Sequence, residues 1–373
     1  MTSPHAFVPV AEPDLTGNEA RYLLECVESG WVSSLGPFVR RLEKEFGAYI
    51  GVPHVAAVSS GTAALHLALV ALGIGSGDEV IVPSLTFVAT ANAVRYVGAI
   101  PVFADCDAQT WTLAPSAVAS CITPRTRAII AVHLYGHPAE MDELSRLAKG
   151  RGLFLIEDAA EAHGATYRDR PIGSLSDIAA FSLFGNKVIT SGEGGLVATS
   201  DPELDRTVRL YRDQGLVKGN HEHLHYWHPV VGFNYGMSNL QAAVAVAQLE
   251  RIDHFVGRKR AIAAGYASRL ENCPNVEVGQ EVPWVKSSFW MSSLLVKPEA
   301  PISRDGLIEA LRASGVDSRP FFYPIHTLPP YAAGQRLAVT EDLAARGLNL
   351  PSSTRLNDDA ICWISETIQR LVK

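Results

Sequence analysis

Cysteine is scarce and scattered. Cys26, Cys106, Cys121, Cys273 and Cys362 are the only five in 373 residues, odd in number and without a C-x-x-C pair, which excludes both a disulfide framework and a cysteine-built zinc site. Positive charge is also short: 32 Lys and Arg stand against 39 Asp and Glu, for a formal net charge of -7. The one dense basic cluster is Arg258, Lys259 and Arg260, so nucleic acid is not an expected partner. Neither G-x-G-x-x-G nor G-x-x-x-x-G-K-[ST] occurs, which leaves a Rossmann dinucleotide site and a P-loop without support. The first twenty residues carry no basic run followed by a continuous apolar one, so no secretory signal is read and a cytoplasmic protein is expected.

Charge is absent altogether from Ile50 to Gly77, long enough to span a bilayer. Pro53, His54, Ser59, Ser60, Gly61 and Thr62 interrupt it, and it reads instead as a buried strand followed by a buried helix, with no membrane partner. What is there is a globular composition, 47% hydrophobic and 19% charged, in a chain long enough for one large α/β domain with a smaller appendage.

Short β-rich runs at residues 55–59, 79–83, 100–105, 127–133, 153–158, 178–182 and 195–198 alternate with helical patterns at 62–72, 88–96, 115–121 and 140–149. Several of the runs are apolar throughout, as strands covered on both faces are. The expected fold class is α/β, with a mostly parallel central sheet that binds ligands at its carboxyl edge. A helix at 202–212, a histidine-rich loop with His221, His223, His225 and His228, and a long helical run at about 239–270 follow. The domain boundary is placed within that run. Residues 1–250 then form a large domain with its N-terminal segment, and 251–373 a small α+β domain: a strand near 289–296, a helix near 304–313, an aromatic loop at 319–326 and a closing helix near 358–372.

Three features sit at plausible sheet edges. Ser60-Gly61-Thr62 ends a strand and opens a helix without charged side chains; free N–H groups there bind a phosphate, or Ser60 or Thr62 is a plain N-cap. Asp158 ends an apolar strand, placed either to hold a cation such as a protonated ring nitrogen or to cap the next turn. A metal is disfavoured, because Glu161 and His163 have no third and fourth ligand nearby; the histidine-rich loop has no zinc spacing either. Lys187 stands alone in an uncharged stretch flanked by Gly185 and a glycine cluster at 192–195. Burial among apolar neighbours makes an amine available as a nucleophile; the alternative is a surface lysine in a turn. Phosphate cradle, strand-end aspartate and glycine-flanked lysine, in that order, are what a pyridoxal 5'-phosphate site requires.

With Trp31-Val32-Ser33-Ser34-Leu35-Gly36, Thr86-Phe87-Val88-Ala89-Thr90-Ala91-Asn92, His133-Leu134-Tyr135-Gly136-His137-Pro138, Tyr226-Trp227-His228-Pro229 and Arg319-Pro320-Phe321-Phe322-Tyr323-Pro324, the chain resembles the DegT/DnrJ/EryC1/StrS sugar aminotransferases over nearly its whole length. Within them it most resembles the perosamine-forming branch. The resemblance implies the fold-type I architecture of pyridoxal-phosphate-dependent transferases, akin to aspartate aminotransferase. It implies Lys187 as the catalytic Schiff-base lysine, Asp158 as the pyridinium partner and Phe87 as the aromatic beside the ring. Ser60, Gly61, Thr62 and Ser182 match phosphate contacts, and Asn234 an asparagine reaching the cofactor phosphate of a neighbouring subunit, so a homodimer with shared sites is implied. Glu161 stands where much of the family has glutamine, Tyr323 and His326 lie in a loop facing the sugar in relatives, and Gly236 replaces a customary arginine.

The expected reaction moves an amino group from an amino-acid donor, L-glutamate by resemblance, to a nucleotide-linked keto-deoxysugar, GDP-4-keto-6-deoxymannose giving GDP-perosamine. Alternatives are a 3-keto sugar or a cyclitol as acceptor, and, in another class, a noncatalytic binding or regulatory protein on the same fold. A sugar dehydratase is disfavoured, because such relatives carry histidine in place of Lys187.

Overall fold

The computed structural model describes residues 7–217 and 226–373. Two helices that the sequence did not announce open the chain. α1 (Glu19–Ser29) buries Tyr22 and Cys26, and α2 (Pro37–Ile50) starts on a proline at its first turn and stops at Gly51, φ 71°. Phe38, Leu42, Phe46 and Ile50 form the buried stripe of α2, at the spacing a helix needs to face one layer.

The central sheet takes β1 (His54–Val58), β2 (Glu79–Pro83), β3 (Ile100–Ala104), β4 (Thr126–Val132) and β5 (Phe154–Asp158). The chain then makes an excursion through β6 (Thr166–Tyr167) and β7 (Arg170–Pro171) before returning as β8 (Ile178–Ser182) and β9 (Gly195–Thr199). All seven sheet strands lie within one residue of their expected bounds. Their order is β1-β9-β8-β5-β4-β2-β3, and only β9 runs against its neighbours. Successive side chains point to opposite faces: on β5, Leu155 enters one buried cluster and Ile156 the other. Both faces are covered, by α3 (Gly61–Ala71), α4 (Ala89–Tyr96) and α7 (Pro202–Arg212) on one side, and by α2, α5 (Pro115–Cys121) and α6 (Met141–Arg151) on the other. That is why the strands show so little alternation.

The expected helical run at 239–270 is two helices, α8 (Asn239–Leu249) and α9 (Ile252–Leu270). A reciprocal capping box of Ser238 and Gln241 opens α8, and the break at 250–251 is tethered from far upstream. Glu250 accepts hydrogen bonds from Asn18, Tyr22 and Arg41, and Arg251 pairs with Asp14. The first turns of α9 bury Ile252, Phe255 and Val256 in the cluster beneath the large sheet, while Ile262, Tyr266 and Leu270 belong to a third cluster.

That third cluster lies under a four-stranded antiparallel sheet of order β10-β12-β14-β13, made of β10 (Val276–Val278), β12 (Ser292–Val296), β13 (Arg319–Pro320) and β14 (Gly347–Leu350). β11 (Val285–Lys286) leaves it to pair with β6. Helices α10 (Arg304–Ala313) and α12 (Asp358–Leu371) supply buried leucines and isoleucines, and α11 (Ala338–Arg346) leads into β14. Val8 bridges Val316 beside this sheet, so the start of the described chain is fastened to the C-terminal layer. The strand expected from residue 289 begins only at Ser292, because the preceding residues are bonded elsewhere.

Candidate active site

A cavity of about 350 Å³ opens at the carboxyl edge of the large sheet. Ser60, Gly61, Thr62, Phe87, Asp158, Glu161, Ser182 and Lys187, eight of the residues singled out from sequence, all line it.

One end is built to receive an anion. Ser60 leaves β1 in an extended conformation, and its Oγ accepts the N–H of Ala63 at 3.1 Å. The first N–H groups of a helix have no partner within it, so those of Gly61 and Thr62 are left for the cavity, at the positive end of the α3 dipole. Glycine is required at both flanks of this seat. A Cβ on Gly61 would lie 2.7 Å from Ser182 Cβ, and one on Gly195 2.5 Å from the Ser60 carbonyl oxygen. The plain N-cap reading holds, and it does not compete with an anion seat: Ser60 caps, and its cap leaves two donors over.

The other end carries charge. Asp158, buried at the end of β5, accepts from Thr90 Oγ1 at 2.7 Å and from the Ala160 N–H at 3.3 Å. Burial pushes its carboxyl above the usual range against these bonds and the pull of Lys187. Glu161 is likewise raised by burial, opposed chiefly by Lys187; its Oε2 accepts the Tyr135 N–H at 2.7 Å and its Oε1 lies 3.4 Å from Lys187 Nζ. The amine of Lys187 stands 3.8 Å from the centre of the Trp290 ring. Lys187 thus has a carboxylate partner and an aromatic face where only apolar neighbours were expected. Among the described residues, two buried carboxylates and one lysine line this end; a protonated ring nitrogen at Asp158 and a phosphate at α3 fit that donor and acceptor set.

Behind the floor, His163 is buried between Phe46 and Phe181 with neither ring nitrogen bonded, and burial pushes its imidazole down to about 3. Next to Asp158, Glu157 points to the opposite face of the sheet.

The remaining candidates lie apart from the cavity lining. Asn234 is exposed, bridged through its main chain to Asp213. Tyr323 is 67% exposed. His326 is buried with both ring nitrogens engaged, Nδ1 at 2.7 Å from Ser84 Oγ and Nε2 at 3.2 Å from Glu341 Oε1. A Cβ on Gly236 would sit 3.2 Å from Ser34 Cβ, so a longer side chain there would start against Ser34. Of the histidine-rich loop, His221, His223 and His225 lie outside the described residues, and His228 bonds the Gln214 carbonyl. Among the described residues no group of three or more His, Cys, Asp or Glu gathers to hold a metal, and no helix is long and apolar enough to cross a membrane.

Sequence reasoning passed over Thr90, Trp290 and Phe322, which also line the cavity. Thr90 and Phe322 lay inside motifs that carry the family resemblance without being marked themselves, and Trp290 arrives from a loop more than a hundred residues after Lys187, with no local pattern to mark it.

Residues 13–369 match the DegT/DnrJ/EryC1/StrS aminotransferase family. Over 97% of the chain it is 44% identical to the GDP-perosamine synthase of Escherichia coli O157:H7, covering 98% of that protein, and over 94% it is 46% identical to the GDP-perosamine synthase of Caulobacter vibrioides, covering 94% of it. The crystal structure of S. venezuelae DesV in complex with a ketimine intermediate superposes with a TM-score of 0.92 at 36% identity, covering 99% of both chains. The chain belongs to the DegT/DnrJ/EryC1/StrS family, pyridoxal-phosphate-dependent sugar aminotransferases of the fold type found here.

Proposed function

We propose that this aminotransferase carries an amino group from L-glutamate to GDP-4-keto-6-deoxymannose, giving GDP-perosamine. The observation that carries the chemistry is Lys187 Nζ beside Glu161 in a cavity that also holds Asp158 and the open end of α3; the substrate rests on the likeness to the two perosamine synthases.

Ser60, Gly61, Thr62 and Ser182 would hold the cofactor phosphate, Phe87 would offer an aromatic face to its ring, and Asp158 would keep the ring nitrogen protonated. When bound, pyridoxal 5'-phosphate supplies an electron-poor ring that spreads the negative charge left when a carbon loses its proton. Lys187 would hold the cofactor through Nζ, and the same amine would take the proton from the donor's α-carbon. Glu161, bonded to the Tyr135 N–H, keeps that amine facing the cavity. The buried floor excludes water, which strengthens each of these charge contacts.

The reading includes a homodimer in which Asn234 reaches the partner's phosphate site, Tyr323 contributes to the sugar side on a loop that His326 fastens through Ser84 and Glu341, and residues 1–250 and 251–373 act as cofactor-binding and smaller domains. Exposed Trp31, Val32, Leu35 and Val231 support an apolar face that a second copy would cover.

The test is to load the protein with amine from L-glutamate, then offer GDP-, dTDP- and UDP-linked keto sugars and cyclitol ketones, following return of the cofactor's aldehyde absorbance. Rapid return with GDP-4-keto-6-deoxymannose alone is expected. Return only with another ketone overturns the substrate and keeps the class. A colourless protein that binds no cofactor would favour the noncatalytic alternative.

A further inference from the structure

Residues 287–290 reach the cavity from the C-terminal layer and are pinned along their length. Ser287 Oγ donates to the Gly136 carbonyl at 2.9 Å, the Ser288 N–H donates to the same oxygen at 3.1 Å, and Ser288 Oγ donates to the Glu161 carbonyl at 3.2 Å. Gly136 permits this approach, since a Cβ there would lie 2.5 Å from Ser288 Oγ and 2.8 Å from the Trp290 nitrogen. Phe289 is held at φ 47°, with its N–H on Ser287 Oγ at 3.0 Å. A non-glycine residue persists there only where its surroundings over-determine it.

The consequence falls on Trp290. Its Nε1–H donates to the Asn186 carbonyl at 2.6 Å, one residue before the lysine, while its ring face lies 3.8 Å from Lys187 Nζ. Its own carbonyl accepts from Lys259 Nζ at 2.9 Å, and Lys259 also donates to the Ser352 carbonyl at 2.9 Å. Lys259 is buried, and burial pushes its amine down to about 7. A buried lysine spent on two main-chain carbonyls is a poor choice for filling space, where an apolar side chain serves better. It is a good choice for fixing the loop that carries Trp290.

We propose that Trp290 is a positioning residue for Lys187: the indole face sets where the amine stands beside Glu161, and the indole N–H fixes the backbone from which the lysine springs. This deepens the aminotransferase reading and rests on it. A lysine side chain has four rotatable bonds, and an aromatic face attracts its ammonium group; together with Glu161 it confines the amine to one corner of the cavity. Misplacing a reacting group by about 1 Å costs on the order of 10²-fold in rate.

Two measurements test this, on Trp290→Leu, which removes the ring, Trp290→Phe, which keeps a ring without the N–H, and Trp290→Met, which is flexible, ringless and replaces the leucine variant if that one does not fold. In single turnovers of the holoenzyme with L-glutamate, the ringless variants are expected to slow amine transfer roughly 10- to 100-fold, with apparent donor affinity within about twofold; the phenylalanine variant recovers most of the rate. In the cofactor-free protein, Lys187 is acylated by acetic anhydride about threefold or more faster in the ringless variants, relative to exposed Lys149 in the same chain and read by mass spectrometry. Equal behaviour of ring-bearing and ringless variants in both measurements overturns the proposal, as does a loss confined to donor affinity. Failure of the wild type to accept amine from any donor instead overturns the aminotransferase reading, and the acylation comparison, which uses neither cofactor nor donor, still decides the place of Trp290.

Discussion

Glu157 and Asp158 are adjacent on β5, both buried and chemically alike, yet they face opposite layers of the sheet and differ in their partners and charge balance. Glu157 accepts the N–H groups of Gly173 at 2.7 Å and Leu175 at 2.9 Å and the hydroxyl of Ser176 at 2.8 Å, with His133 Nε2 at 3.3 Å. Those bonds outweigh burial and bring its carboxyl below the usual range. Asp158 has Thr90 and Ala160 only, and burial prevails. A satisfied buried carboxylate is architecture. One that stays short of donors beside a cavity is waiting for a cation from outside the chain.

Lys187→Ala breaks the contrast most severely, since it removes the one cation among the described residues of the cavity lining: turnover and the bound cofactor's lysine-dependent absorbance are expected to vanish together. Normal turnover in that variant would end the assignment of Lys187. On the opposite face, Glu157→Gln should destabilise the protein by about 3–5 kcal/mol, because it leaves a bonded group of donors around a weaker acceptor, while the folded fraction turns over within about threefold of wild type; urea unfolding and an active-site titration check both halves. Asp158→Asn should do the reverse, slowing the donor half-reaction about 10²–10³-fold and leaving the urea midpoint of the cofactor-free protein unchanged or higher.

The smallest effect is also the sharpest. Glu157, with its folded pKa lowered, contributes stability that is present above its unfolded pKa and lost as pH falls through the folded value. For Asp158 the shift is upward, so burial of its charge costs stability once pH rises past its unfolded pKa, and acidification relieves that cost. Measured as urea midpoints of the cofactor-free protein between about pH 3 and pH 6, Glu157→Gln should flatten the acid-side loss of stability and Asp158→Asn should steepen it. Parallel curves would show that the two side chains do not differ as their surroundings imply.

The same contrast explains what could be read in advance. The seven strands and five residues of the cavity lining, Ser60, Gly61, Thr62, Asp158 and Lys187, follow from local patterns: apolar runs, a hydroxyl-and-glycine strand end, a strand-end carboxylate, a lone lysine among glycines; Phe87, Glu161 and Ser182 were marked by the family resemblance. Glu157 and Asp158 look interchangeable in the sequence, because the partners that tell them apart come from residues 90, 133 and 173–176. Trp290 escaped for the same reason, entering from a loop of the C-terminal layer, while Phe322 lay in a motif whose other residues drew the attention. His326 looked available as a sugar contact, and only its contacts with Ser84 and Glu341 show its nitrogens already engaged. The split of the long helix at residue 250 depends on Asp14, Asn18, Tyr22 and Arg41, more than two hundred residues away.

Helix α9 carries a mechanical consequence. Its nineteen residues span about 28 Å, with the first turns rooted under the large sheet, the last under the small one, and Lys259 between them holding the loop of Trp290. The two layers therefore share an axle. Neither can melt without loosening the other's grip, so amide protons along α9 should exchange at one common, slow rate, and heat should take both layers apart in a single step.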